Sequence, residues 1–196
     1  MVEPTGITHP LTMSSPPTGE HFEFHTSFRG PSKRFRFTWT LAPGKQGPAE
    51  HIHPAESHEF RIVSGEISIW VDDVRHDLKA GDELTIRAGQ AHRFKNVGQV
   101  PVVVDAANDG ATFEDFCIPL AIEGQRRGGK MTFGIVLLLI AQVAATDPNL
   151  PTKRTVRLMK VMNAIAWFVT RVLRVRPLPA VYGWEPSASL ETFAAE

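Results

Sequence analysis

Five of the chain's eight histidines lie within the segment 51–96, and the spacing of four of them, at positions 51, 53, 58 and 92, constrains the fold more than any other feature of the sequence. His51 and His53 are two residues apart, so both imidazoles would face the same side of a β-strand. His58 follows five residues later, and His92 lies near the end of the segment. Because imidazole is a common ligand of transition metals, this spacing predicts that the four side chains converge on one metal ion.

The alternation of residues after His58 predicts which side chains of this strand are buried. Phe60 and Ile62 are apolar and have the same parity as His58, whereas Glu59 has the opposite parity. A strand with one buried face would therefore point His58 inward and Glu59 toward solvent. We interpret Glu56 and Glu59 as solvated side chains, with coordination by either one in place of His58 as the alternative, for example after a register shift at a bulge.

A second short strand is predicted between two glycines, Gly81 and Gly89. Beyond it, His92 has the same parity as Phe94, so it should also face inward. The two segments could pair as neighbouring strands and bring the imidazoles together.

Segment 44–105 resembles the two signature motifs of the cupin superfamily. In that family a glycine and His-x-His are followed by a glutamate and a glycine, and a second motif runs from Gly through Pro-x-Gly to His and Asn. The matching positions of this chain are His51, His53, Gly65, Gly81, Gly89, His92 and Asn96. The resemblance implies a mainly β fold, a cupin-type double-stranded β-helix or jelly-roll barrel, with an added C-terminal α-helical segment.

Two positions depart from the family pattern. His58 stands where the family has its glutamate ligand, and Arg87 stands in place of the proline. The resemblance then implies a divalent transition metal (Fe, Mn, Ni, Zn or Cu) held by four neutral imidazoles, and imidazole does not select among these metals. Four protein ligands would leave two positions of a six-coordinate ion open. The predicted ligands are His51, His53, His58 and His92.

The remainder of the chain divides into four predicted parts. Residues 1–19 are rich in proline and are expected to form a flexible arm, ordered only if it lies on the barrel or on a partner subunit. Residues 20–112 are predicted to form the barrel, in which Phe35, Phe37, Trp39 and Leu41 alternate with polar residues and fill the core. Residues 113–182 are predicted to form a helical extension, and residues 183–196 a tail.

Within the extension, Met131–Ala145 is uncharged and predicts a buried helix, too short to cross a bilayer. A second helix is predicted from Thr152 onward, with an apolar stripe and many basic residues. Packing on the barrel or in a homodimer is favoured over contact with a membrane surface. The apolar stripe consists of Val156, Met159, Met162, Ile165, Phe168 or Val169, and Val172.

Composition excludes several classes of protein. The 196 residues carry 21 basic and 21 acidic side chains, so no charge excess indicates a nucleic-acid partner. The single cysteine, Cys117, excludes an internal disulfide, and the first ten residues lack the features of a secretory signal. These features predict a cytoplasmic location.

The resemblance implies a metal-dependent oxidoreductase of dioxygenase type that acts on a small anionic or enolisable molecule. Two alternatives stay open. One is a non-catalytic cupin that binds a small molecule as a sensor or carrier, and the other is a metal-dependent isomerase or lyase. Fold alone does not rank these functions, because one barrel can support unrelated activities. No separate catalytic base is predicted.

Overall fold

The computed structural model describes residues 11–15, 17–126 and 150–153, and seven single positions between 157 and 172. These residues contain two antiparallel sheets that share one hydrophobic core, and a helix that follows the last strand of the barrel. The mainly β architecture predicted from the sequence is therefore confirmed.

The first sheet has six strands. Their spatial order is β1 (Leu11–Ser15), β2 (Glu20–Thr26), β3 (Phe35–Leu41), β10 (Val102–Asn108), β5 (His58–Ser64) and β8 (Glu83–Ile86). The second sheet has five strands. Their order is β11 (Leu150–Pro151), β4 (His51–Ile52), β9 (Ala91–Asn96), β6 (Glu66–Val71) and β7 (Val74–Lys79).

The core is built from the alternating faces of these strands. All four apolar residues predicted on the inner face of β3 are buried, and Phe22 and Phe24 of β2 pack against them. Aromatic rings lie close together in this layer; the Phe35 and Phe37 centroids, for example, are 5.3 Å apart. Each fully buried side chain of this size contributes roughly 1.5–3 kcal/mol to folding, so this layer is a principal source of stability.

Two glycines permit turns beside β5 and β9, the strands that carry His58 and His92. Gly65 has a φ of +80°, and a Cβ at this position would lie 2.8 Å from the carbonyl oxygen of Pro101. Gly89 has a φ of +83°, and its N–H donates to the carbonyl of His53 at 2.8 Å. Both backbone conformations are ones that glycine adopts without strain.

Residues 11–15, assigned from the sequence to the flexible arm, form strand β1. This strand pairs with β2 in antiparallel register, with Leu11 opposite Phe24. Leu11 is only 3% exposed. The short apolar pair Leu11 and Met13 was too weak a pattern to predict a strand, and pairing with the edge of the sheet decides the outcome.

Helix α1 (Thr112–Arg126) follows β10 directly and lies in the segment that the sequence predicted as a helical extension. The helix forms because one face is buried against the barrel. In addition, Glu114 and Asp115 in its first turn interact favourably with the positive end of the helix dipole. The buried residues of this face include Cys117, Ile118, Ala121 and Ile122.

The C-terminal extension is described at fewer positions. The predicted helix Met131–Ala145 lies outside the described residues, whereas described positions between 157 and 165 are helical, in agreement with the second predicted helix. Phe168 and Val172, expected on the buried stripe, are 49% and 51% exposed. The extension's boundaries stay a prediction. Within the described ranges, no helix is both long and apolar enough to span a membrane.

Candidate metal centre

The four predicted histidines reach the site from three strands and one loop. His51 lies in β4 directly opposite His92 in β9, His53 follows β4, and His58 begins β5. His53, His58 and His92 are each less than 5% exposed. The inward orientation predicted for His58 and His92 from their parity is confirmed.

Three of the histidines form a compact group. One ring nitrogen from each of His51, His53 and His92 lies within 4.8 Å of those of the other two. The Nε2 atoms of His51 and His53 are 2.9 Å apart. Two nitrogen ligands at right angles on a metal, each at about 2.1 Å, would be about 3 Å apart, so this pair fits coordination to one ion.

Backbone carbonyls fix the tautomers of two of these rings. His51 Nδ1 lies 2.7 Å from the Ala49 carbonyl, and His92 Nδ1 lies 3.0 Å from the Gln90 carbonyl. Because a carbonyl only accepts hydrogen bonds, each Nδ1 carries the proton and donates it. The Nε2 atoms of both rings therefore present lone pairs to the site, which is the arrangement that metal binding requires.

His58 lies beside this group rather than within it. It forms a second, overlapping group with His53 and Glu56, again with ligand atoms within 4.8 Å of one another. Its ring centroid is 4.2 Å from that of His53 and 5.6 Å from that of His92. Among the described residues, no hydrogen-bond partner contacts its buried Nε2. An unpaired buried nitrogen of this kind fits a ligand role, which stays a prediction for His58.

Glu56 is placed differently from the sequence interpretation, which made it a solvated side chain. It is 2% exposed, and its carboxyl group lies beside His53 and the start of α1. Strand parity gave no information here, because Glu56 lies in the loop between β4 and β5. Glu59, in contrast, is exposed, as its parity predicted. It forms a 3.0 Å ion pair with Arg34.

Burial keeps the site histidines neutral. Desolvation lowers the pKa of His51, and it lowers the pKa values of His53 and His58 well below the ordinary range. Desolvation, with the nearby His51, brings the pKa of His92 to about 4. Burial raises the pKa of Glu56 to about 7. At neutral pH all four rings are therefore uncharged, and none carries the second proton that would compete with a metal ion.

A small cavity of about 30 Å³ adjoins the histidines. This volume is enough for about two water molecules. Its other walls are apolar and mostly aromatic, and Phe113 brings the first turn of α1 over His53 and His58, with centroid distances of 6.5 and 6.3 Å. Sequence analysis missed Phe113, although the acidic residues that follow it are a signal for a helix start. The apolar lining consists of Phe22, Phe37, Trp39, Pro48, Phe60, Phe94 and Phe113.

Comparison with known proteins finds similarity over the segment that contains this site. Residues 37–106 match the family described as "Cupin domain". An oxidoreductase of Arthrobotrys oligospora is 32% identical over 85 residues, which are 43% of this chain and 32% of that protein. The tetracenomycin polyketide synthase protein TcmJ of Streptomyces glaucescens is 33% identical over 64 residues, which are 33% of this chain and 42% of that protein.

Matches therefore span less than half the length of these two relatives. Among solved structures, the cupin domain of Cnp3 from Schizosaccharomyces pombe is similar with a TM-score of 0.41 and 18% identity. That match covers 58% of this chain and 74% of the other.

Proposed function

This chain contains a cupin domain, and from that premise we propose that it is a metal-dependent oxidoreductase of dioxygenase type. Its proposed substrate is a small anionic or enolisable molecule. The observation that carries the proposal is the largely buried group of three neutral imidazoles whose ring nitrogens lie within 4.8 Å of one another. Two of them, His51 and His92, turn Nε2 lone pairs inward, and a cation would satisfy both in a site with few hydrogen-bond donors.

The proposed ligands are His51, His53, His58 and His92, which would hold a divalent transition metal. Such an ion would act as a Lewis acid that polarises a substrate oxygen. The protein's part is to hold the imidazoles neutral, with Nε2 of His51 and His92 turned inward by the carbonyls that bind their Nδ1 protons. Their aromatic surroundings limit the space for water beside the histidines.

The cavity supports a small substrate. Its volume of about 30 Å³ holds little more than two waters, and the cavity is partly open to solvent, so the rest of a larger molecule would extend outward from it. Phe113 of α1 and Pro48 of the preceding loop are lining residues that lie outside the strands. The names of the relatives, an oxidoreductase and a polyketide synthase protein, are in keeping with oxidation of an enolisable carbonyl compound.

The first test is metal analysis of protein purified without added metal, followed by reconstitution with Fe, Mn, Ni or Cu and measurement of oxygen uptake. The panel of substrates comprises diketones, flavonols and aromatic acids. We expect at least one combination to consume oxygen. No uptake with any combination would contradict the proposal, anaerobic turnover would favour an isomerase or lyase, and tight binding without turnover would favour a sensor or carrier.

A second test asks whether residue 58 is one of the metal ligands. We expect a His58→Glu variant to retain metal, because carboxylate is also a ligand, and to change activity, because the ligand's charge has changed. A Glu59→Gln variant is the matched control, since Glu59 is exposed. Identical activity of the His58→Glu variant and wild type would remove His58 from the proposed ligand set.

We also propose that the chain forms a homodimer. Val161, Phe168 and Val172 are 57%, 49% and 51% exposed in the extension, and an apolar surface of this kind is commonly covered by a partner. Light scattering on purified protein should give twice the mass of one chain. A mass of 21.7 kDa at all concentrations would contradict the dimer.

A further inference from the structure

Glu56 makes two contacts with a single carboxylate oxygen. Its Oε1 accepts a hydrogen bond from the Phe113 N–H at 3.2 Å and lies 3.5 Å from Nδ1 of His53. The Phe113 N–H belongs to the first turn of α1, where amides have no partner within the helix. One buried oxygen is therefore hydrogen-bonded to the start of the helix and lies beside a site histidine whose Nδ1 has no hydrogen-bond partner among the described residues.

Local packing leaves the Glu56 side chain little freedom. A Cβ added to Gly110 would lie 2.3 Å from Oε2 and 2.6 Å from Cβ of Glu56. The glycine therefore gives the carboxyl group the room it occupies, and the side chain is 2% exposed. A charged or hydrogen-bonding group held this tightly keeps one orientation.

The two ends of the His53 ring have different neighbours. Nε2 faces His51 at 2.9 Å, and Nδ1 faces the Glu56 carboxyl group. For His51 and His92, a backbone carbonyl binds Nδ1 and sets the ring orientation. Within the described residues, Glu56 is the group that occupies the corresponding place at His53.

We propose that Glu56 is a positioning residue that orients the His53 imidazole and ties it to the first turn of α1. The expected effect of Glu56 on metal affinity rests on the proposed metal site, whereas its effect on the orientation of His53 does not. It assigns Glu56 no contact with substrate. Groups that orient a ligand histidine through its second nitrogen typically change metal affinity by 10- to 100-fold.

The test compares Glu56→Ala, Glu56→Gln and the exposed control Glu59→Gln. In the metal-free proteins, ¹⁵N NMR reports the ring nitrogens of His53, and hydrogen exchange reports the Phe113 amide. We expect both Glu56 variants to shift the His53 nitrogens and the control to leave them unchanged. Glutamine keeps a side-chain oxygen for the Phe113 amide, so Glu56→Gln should preserve its protection and Glu56→Ala should lose it.

Titration with Co²⁺, followed by its absorption spectrum, supplies the metal measurement. We expect affinity to fall about 10- to 100-fold in Glu56→Ala and by a smaller factor in Glu56→Gln. If wild type binds Co²⁺ and both variants bind it equally well, or if the His53 nitrogens do not shift, the inference is overturned. If wild type binds no metal, the proposed function fails, and the shift of the His53 nitrogens still decides the role of Glu56. Should Glu56→Ala fail to fold, Glu56→Gln carries both measurements.

Discussion

Gly110→Ala tests the packing that holds Glu56 in place. The added methyl carbon would lie 2.3 Å from Oε2 and 2.6 Å from Cβ of Glu56. Rotation of the Glu56 side chain could move the carboxyl group away, but its Cβ is fixed to the backbone. Overpacking of this kind typically costs 1–3 kcal/mol, so we expect a loss of about 2 kcal/mol in the free energy of unfolding.

Urea denaturation measures this loss directly, and thermal melting should show a decrease of about 4–8 °C. The matched control is Gly124→Ala in α1, where an added Cβ would meet no atom within 4 Å. Alanine favours a helix over glycine by about 0.8–1.0 kcal/mol, so this control should be more stable than wild type.

A double-mutant cycle identifies the cause. In a Glu56→Gly background these close contacts are absent, so Gly110→Ala should lose most of its effect, with a coupling energy of about 2 kcal/mol. If Gly110→Ala melts within about 1 °C of wild type, or if its cost is the same in both backgrounds, the argument from Glu56 packing is wrong.

Three further predictions concern titration, a turn and a buried ion pair. Folding lowers the pKa of His92 from 6.5 to about 4. The contribution of His92 to the free energy of unfolding is therefore fully present above pH 6.5, and it falls by about 3 kcal/mol as the pH of the metal-free protein decreases to 4. Urea denaturation at several pH values measures this loss. Glu56, whose pKa is raised to about 7, acts in the opposite direction, so a larger acid loss is expected in Glu56→Gln, and an equal loss would contradict the assignment. Asn96 makes two hydrogen bonds within the turn after β9 and donates a third to the Leu41 carbonyl at the end of β3, so Asn96→Ala should lower the free energy of unfolding by about 3 kcal/mol; a loss below about 1 kcal/mol would refute this. Arg29→Met should destabilise the protein by about 2 kcal/mol at pH 7, because Arg29 pairs with Asp115 at 2.6 Å and lies 3.7 Å from the fully buried Glu114; unchanged urea denaturation would argue against a stabilising role for these pairs.

Alternation along the strands made much of this protein predictable. The inner residues of β3 and the inward orientation of His58 follow from period-two patterns that depend only on local backbone geometry. The same rule correctly left Glu59 on the surface. Helix α1 falls within the predicted helical extension although Pro119 and Gly124 argue locally against a helix, because burial of its apolar face outweighs that local preference.

Local sequence therefore determined most of the barrel strands, their buried faces and the four histidines that point into the barrel. Tertiary structure alone decided which of them lie together, with His51, His53 and His92 in one group and His58 beside it. It also buried Glu56 against His53 and brought Phe113 over the site. These contacts join the loop that carries Glu56 to Gly110 and helix α1, which lie more than fifty residues later in the chain. Strand periodicity describes neighbours along one chain segment, whereas such contacts depend on how separate segments pack.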